Sequence, residues 1–244
     1  MTFQEGIAMY SMDGVCFLAS STMFLGYLYF IARKSRKNPA YTVQGIAALA
    51  RAAWVKSVME KSKDILAVQT LRNSTMAATF LASTAILLSV GVLTLTGQSE
   101  KLQTTWHALH FFGAQHEGLL LVKLIILLLN LFAAFFFFTS SIRLYNHVGY
   151  MINAPYTEQE KVMSPKVVAA QLNRAGYHYS MGLRGFYSMV PLVFWIFGPL
   201  FLLAVTVVVI MILFHLDRTP SAVEEDFHRE CNETSCLFNT NEEP

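Results

Sequence analysis

Charge is what this chain of 244 residues lacks most. Only 14% of its residues are Asp, Glu, Lys or Arg and 54% are hydrophobic, against about 25% charged in an ordinary soluble domain. That deficit, with a mean hydropathy of +0.43, excludes a conventional water-soluble fold. No glycine or proline occurs between residues 46 and 90, so nothing there forbids a long helix. No basic stretch precedes the first apolar run; Glu5 and Asp13 do, and the basic cluster follows it. The run is therefore expected to be an uncleaved anchor with its N-terminus outside. A glycine-rich phosphate loop, paired intramembrane carboxylates and a Ser-His-Asp order are also missing, which argues against an enzyme. His147 and His215 lie at the wrong depths to ligate a haem between facing spans, and no cofactor is expected.

What the chain does have is apolar length. Four stretches, 14–32, 74–97, 118–141 and 188–216, are long enough to cross about 30 Å of hydrocarbon at about 1.5 Å per residue. The connectors between them differ in sign. Loop 33–73 carries nine basic residues against Glu60 and Asp64, a net +7, and loop 142–187 carries five against Glu158 and Glu160, a net +3. The tail from Asp217 onward sums to −6. Basic connectors stay in the cytoplasm, so four spans place both termini outside or in a lumen. The expected fold is all-α: a polytopic bundle of four transmembrane helices over residues 1–217, with amphipathic helices in the two cytoplasmic loops and an acidic tail, 218–244.

Within the loops, Arg51, Lys56, Lys61, Lys63 and Arg72 form a basic face opposite Ile46, Leu49 and Val58. That face suits anionic lipid. The third span's helical pattern continues to Val148, until Gly149 and Pro155 interrupt it. Ser164-Pro165, a cap residue followed by proline, should start another helix, expected to end near Gly176. Gly182 and Gly185 then loosen the approach to the fourth span. Inside that span, Gly198-Pro199 marks a kink or hinge.

Asn232-Glu233-Thr234 is a glycosylation acceptor triplet, and Cys231 and Cys236 flank it as a candidate disulfide pair; both require an external tail. Lys123 lies inside the third span, with Asn130 two turns further along. An ionisable group at that depth marks a water-filled path, or snorkels to the headgroups. Thr75, Thr79 and Ser83 form a polar stripe on the second span, either lining such a path or serving helix packing. His107, His110 and His116 form a weak candidate for metal, set among interfacial aromatics.

Several stretches resemble the domain of unknown function 599 family in its plant-type form. They are Asp64-Ile65-Leu66-Ala67-Val68-Gln69-Thr70-Leu71-Arg72-Asn73 with Met76, and Ala82-Ser83-Thr84-Ala85-Ile86-Leu87-Leu88. Further along come Ser141-Ile142-Arg143, Asn146, Asn153-Ala154-Pro155, Phe186-Tyr187, Pro191-Leu192 and Trp195-Ile196-Phe197-Gly198-Pro199. The resemblance runs from about residue 30 to 217. It implies a multi-pass helical membrane protein of bacteria and plants, and no activity or functional residue.

The expected function is passive transport of small inorganic anions through a pore built by a homo-oligomer, with Lys123 supplying a positive ring. The first rival is a non-transporting scaffold or accessory subunit that binds acidic lipids or partner proteins through its basic helices. The second is a metal-handling or redox protein using the three histidines. Membrane lipids are the expected partners, with no nucleic acid, in a plasma or other secretory-pathway membrane.

Overall fold

A computed structural model describes residues 3–61, 64–97, 117–154 and 164–220. Six α-helices account for most of it: α1 (Phe3–Lys37), α2 (Val43–Glu60), α3 (Asp64–Gly97), α4 (Glu117–Ile152), α5 (Pro165–Phe194) and α6 (Pro199–Asp217). Short 3-10 turns at Pro39–Tyr41 and Trp195–Phe197 join α1 to α2 and α5 to α6. All but α2 are long and apolar enough to cross a membrane. The described residues contain no strand, only an isolated bridge between Thr42 and Arg218.

Four spans were expected, and the structure has five such helices. The difference arises at the stretch 188–216, which is not one crossing but the end of α5, a reversal, and all of α6. The cause is local. Pro199 has no N–H to give the carbonyl four residues earlier, and Gly198 takes a φ of 150°, a conformation that side-chain-bearing residues rarely adopt. The chain turns back there as a hairpin, so that Arg184 near the middle of α5 meets Asp217 at the end of α6 at 3.1 Å.

Helix α5 starts where the sequence indicates, with the Ser164 hydroxyl accepting from the Val167 amide and Pro165 in the first turn. It does not end near Gly176. It runs through Gly176, Gly182 and Gly185 to Phe194, because those glycines are sites of close approach. A Cβ on Gly182 would lie 2.6 Å from the Phe138 ring, and one on Gly185 2.9 Å from the Ala134 methyl. Phe138 is wholly buried there.

Helix α3 begins about ten residues before the expected span, but it is not continuous with α2. The α2 helix stops at a C-cap on Lys61. On the far side of the break, Ala67 and Leu71 join Val55, Val58, Leu144, Tyr145, Val148, Val168 and Leu172 in one buried cluster. This cluster joins α2 to the near ends of α3, α4 and α5.

Neighbouring long helices alternate in direction, and α1 and α6 run parallel. Tyr27 and Ile31 pack with Val209 and Leu213, and Phe17 and Ser20 share a cavity wall with Leu202 and Thr206. Beyond α6, the Thr219 amide donates to the Tyr41 carbonyl at 3.2 Å. The start of α1 and the end of α6 therefore lie at opposite ends of the bundle. The chain leaves α6 beside residues 33–42, at the basic end, not across from it.

Candidate functional site

At the end of the bundle away from the basic loops, three side chains close on one another. Asp13 stands on α1, Lys123 one and a half turns into α4, and Trp195 on the turn after α5. Lys123 Nζ lies 3.1 Å from Asp13 Oδ1, with both side chains essentially inaccessible. The Trp195 indole N–H donates to the same Asp13 oxygen at 3.0 Å. Lys123 Nζ also donates to the Trp195 carbonyl at 3.1 Å and sits 5.2 Å from the Trp195 ring centroid. Phe17, one turn on from Asp13, stacks on that ring at 4.7 Å.

The Trp195 carbonyl is the group that Pro199 leaves without its helical donor. Gly198 N–H reaches it at 3.2 Å in the tight turn, and Lys123 supplies a charged second donor. A buried ammonium is stable only when paired and hydrogen-bonded; here a carboxylate, a carbonyl and an aromatic face surround it. The cluster ties α1, α4 and the α5–α6 turn together.

Below the cluster, a cavity of about 330 Å³ lies between α1, α4, α5 and α6. Its walls are mostly apolar (Phe17, Phe24, Leu192 and Leu202 among them), with Ser20, Asn130, Ser188 and Thr206 as polar points. Asn130 donates to the Gly185 carbonyl at 2.9 Å and accepts from the Ser188 hydroxyl at 2.9 Å. The Thr206 hydroxyl donates to its own helix at Leu202, at 2.7 Å. Ser20 differs. Elsewhere in the spans Thr79, Thr84, Ser89, Thr94 and Thr139 all donate to the carbonyl four residues back. The buried Ser20 hydroxyl has no partner among the described residues.

The residues singled out in the sequence are thus dispersed. Lys123 and Asn130 do face the bundle interior on one side of α4. Thr75, Thr79 and Ser83 do not join them: Thr79 and Ser83 are exposed on the outer face of α3, and Thr75 is half-buried near the basic end. Gly198 and Pro199 form the reversal between α5 and α6. Lys56 is exposed and 3.9 Å from Glu60, and Lys61 and Arg72 are exposed. Arg51 departs from that basic face. It turns inward, its Nε donating to Asn173 Oδ1 at 2.9 Å, and burial pulls its guanidinium below the ordinary value. Cys16 is a free, buried thiol. Lys63, His107, His110, His116, Cys231, Asn232 and Cys236 lie outside the described residues. Groups of three or more metal-ligating side chains are absent among the described residues.

Asp13 and Trp195 are the site residues that the sequence pattern did not single out. Asp13 stands at the start of the first apolar run and Lys123 at the start of the third, but only the packing of α1 beside α4 shows that the two charges meet.

Compared with known protein families, residues 15–222 match the one described as "Protein of unknown function, DUF599". No curated protein and no solved structure matches the chain.

Proposed function

The chain belongs to the DUF599 family, and from that premise we propose that it is a passive membrane transporter whose substrate occupies the cavity beneath the Asp13–Lys123–Trp195 cluster. The observation that carries this is Ser20. Ser20 is the cavity-lining member of the four buried polar side chains that lack a partner among the described residues, and such a hydroxyl is ready for a guest's hydrogen bond, as in small-molecule sites with apolar walls and a few polar points. The polar points lie part-way along the crossing helices, the depth at which transporters hold substrate.

Asp13 offsets the charge of Lys123, so a positive ring loses its basis and the preference for small anions with it. The substrate class that suits the walls is a small uncharged solute with hydroxyl or amide groups. Closure toward the non-basic end rests on the ion pair, because Lys123 holds the carbonyl at the α5–α6 turn. Basic residues near that opposite end put it in the cytoplasm, with α1 starting outside and the acidic tail inside. That placement leaves Asn232 unglycosylated and Cys231 and Cys236 reduced. A homo-oligomer would form on the outer face of α3, where exposed Thr79 and Ser83 permit close helix approach.

Proteoliposomes under a glycerol or urea gradient should relax faster than empty vesicles by light scattering, and Ser20→Leu should remove the excess. Chloride flux should equal that of empty vesicles. Rates identical to empty vesicles for both solutes would sink the proposal. A chloride flux reversed in preference by Lys123→Glu would instead restore the anion pore. The scaffold alternative draws on a different observation, the packed helical layer with Lys56, Lys61 and Arg72 exposed. It calls for partner capture that survives Lys123→Ala.

A further inference from the structure

A second cavity, of about 410 Å³, lies between α3 and α4 at the basic end. Arg72, Thr75 and Met76 line it from α3; Asn146 and Tyr150 line it from α4, and Asn153 from just past the end of α4. The transport proposal uses none of them. We propose that this cleft binds the phosphate headgroup of an anionic membrane lipid.

Charge comes first. Arg72 is exposed, and among the described residues no carboxylate pairs with it. A guanidinium offers phosphate a planar, two-pronged donor. The Asn146 amide and Tyr150 hydroxyl add neutral donors at the same mouth. Asn153 already gives one amide hydrogen to the Gly149 carbonyl at 3.0 Å, which fixes its orientation along the cleft wall.

Depth comes second. Phe138 seats against Gly182, beside the Arg184–Asp217 contact that marks the end of α6. Counted along α4 from Lys123 at the other end of the bundle, Asn146 lies roughly 35 Å away. With about 30 Å of hydrocarbon between them, the cleft opens just past the boundary, in the layer that lipid phosphates occupy. Basic pockets between membrane helices on the cytoplasmic side are a recurrent form of headgroup site.

A third feature distinguishes a lipid from a soluble phosphate. On α3, Met76 at the cleft wall and Phe80 one turn further from the basic end are 63% and 73% exposed. They continue the site as an apolar ridge toward the bilayer centre, a track for acyl chains that a soluble ligand would leave bare.

Full-length protein purified in neutral detergent, titrated with phosphatidylglycerol, phosphatidylcholine or glycerol phosphate and read by native mass spectrometry, tests the assignment. Phosphatidylglycerol should bind well ahead of phosphatidylcholine, and Arg72→Gln should weaken it roughly five- to tenfold. Gly149→Leu keeps Arg72 but fills the cleft, because a Cβ there has only Leu71 Cδ1 within 4.0 Å; it should lose binding as well. Lys61→Gln, exposed but outside the cleft, should leave binding unchanged. Equal binding of the two lipids, or binding unaltered by both cleft variants, overturns the proposal. Competition by glycerol phosphate at the lipid's own concentration also overturns it, in favour of a soluble phosphorylated ligand.

Discussion

Lys123 keeps its ammonium in a place without water only because a carboxylate arrives there from another helix. Removing either partner strands the other, at a cost of about 3–5 kcal/mol, whereas replacing both with apolar residues is often neutral or better. Lys123→Met and Asp13→Leu should each lower the melting temperature in detergent, and the double variant should recover most of the loss. Additive losses would mean that the pair is not coupled. Half of this site was legible in the sequence. A lysine inside an apolar run announces itself, and so does the asparagine two turns further on. Asp13 was not legible, because a charge at the edge of a run ends the hydropathic segment and is then counted with the soluble residues. Which helix lies beside which decides the pairing, and one-dimensional patterns do not hold that information.

Among the elements, the α5–α6 hairpin departs most from what the apolar pattern suggests. Hydropathy along residues 188–216 is continuous, and an average over residues does not register a change of direction. Helix α5 was hidden for a related reason: Arg174, Arg184 and three glycines dilute its apolar content, and the candidate span over Pro165–Phe197 has a mean hydropathy of only 1.2. Several of its polar residues find tertiary partners, Arg184 in Asp217 at 3.1 Å and Asn173 in Arg51 at 2.9 Å. By contrast, the Ser164-Pro165 start and the helical layer at the basic end were readable, since capping and periodicity are local. Gly198 is the position to test. With φ at 150°, Gly198→Ala should destabilise by about 1–3 kcal/mol, visible as a lower melting temperature. A Gly198→Ala protein that melts with the wild type would show that the reversal does not depend on glycine. Pro199→Ala, which restores an N–H, should be milder.

For the whole molecule, the proposed topology, in which all five membrane-length helices cross, predicts that the two ends of the chain lie on different sides. Tags at the two termini should give opposite results on protease treatment of intact cells, with the C-terminal tag protected alongside loop 33–73. The same topology keeps Asn232 away from the lumen, so enzymatic deglycosylation should leave the electrophoretic mobility unchanged; a mobility shift would refute that placement. The Asp13–Lys123 contact also bears on how the protein is made. About 110 residues separate the two, some 5–20 s of synthesis at about 5–20 residues per second. Throughout that interval the first helix carries an acidic group, without its partner, that lipid does not welcome. Chains arrested before Lys123 is made should therefore hold α1 in the membrane less firmly than full-length chains, as read by carbonate extraction.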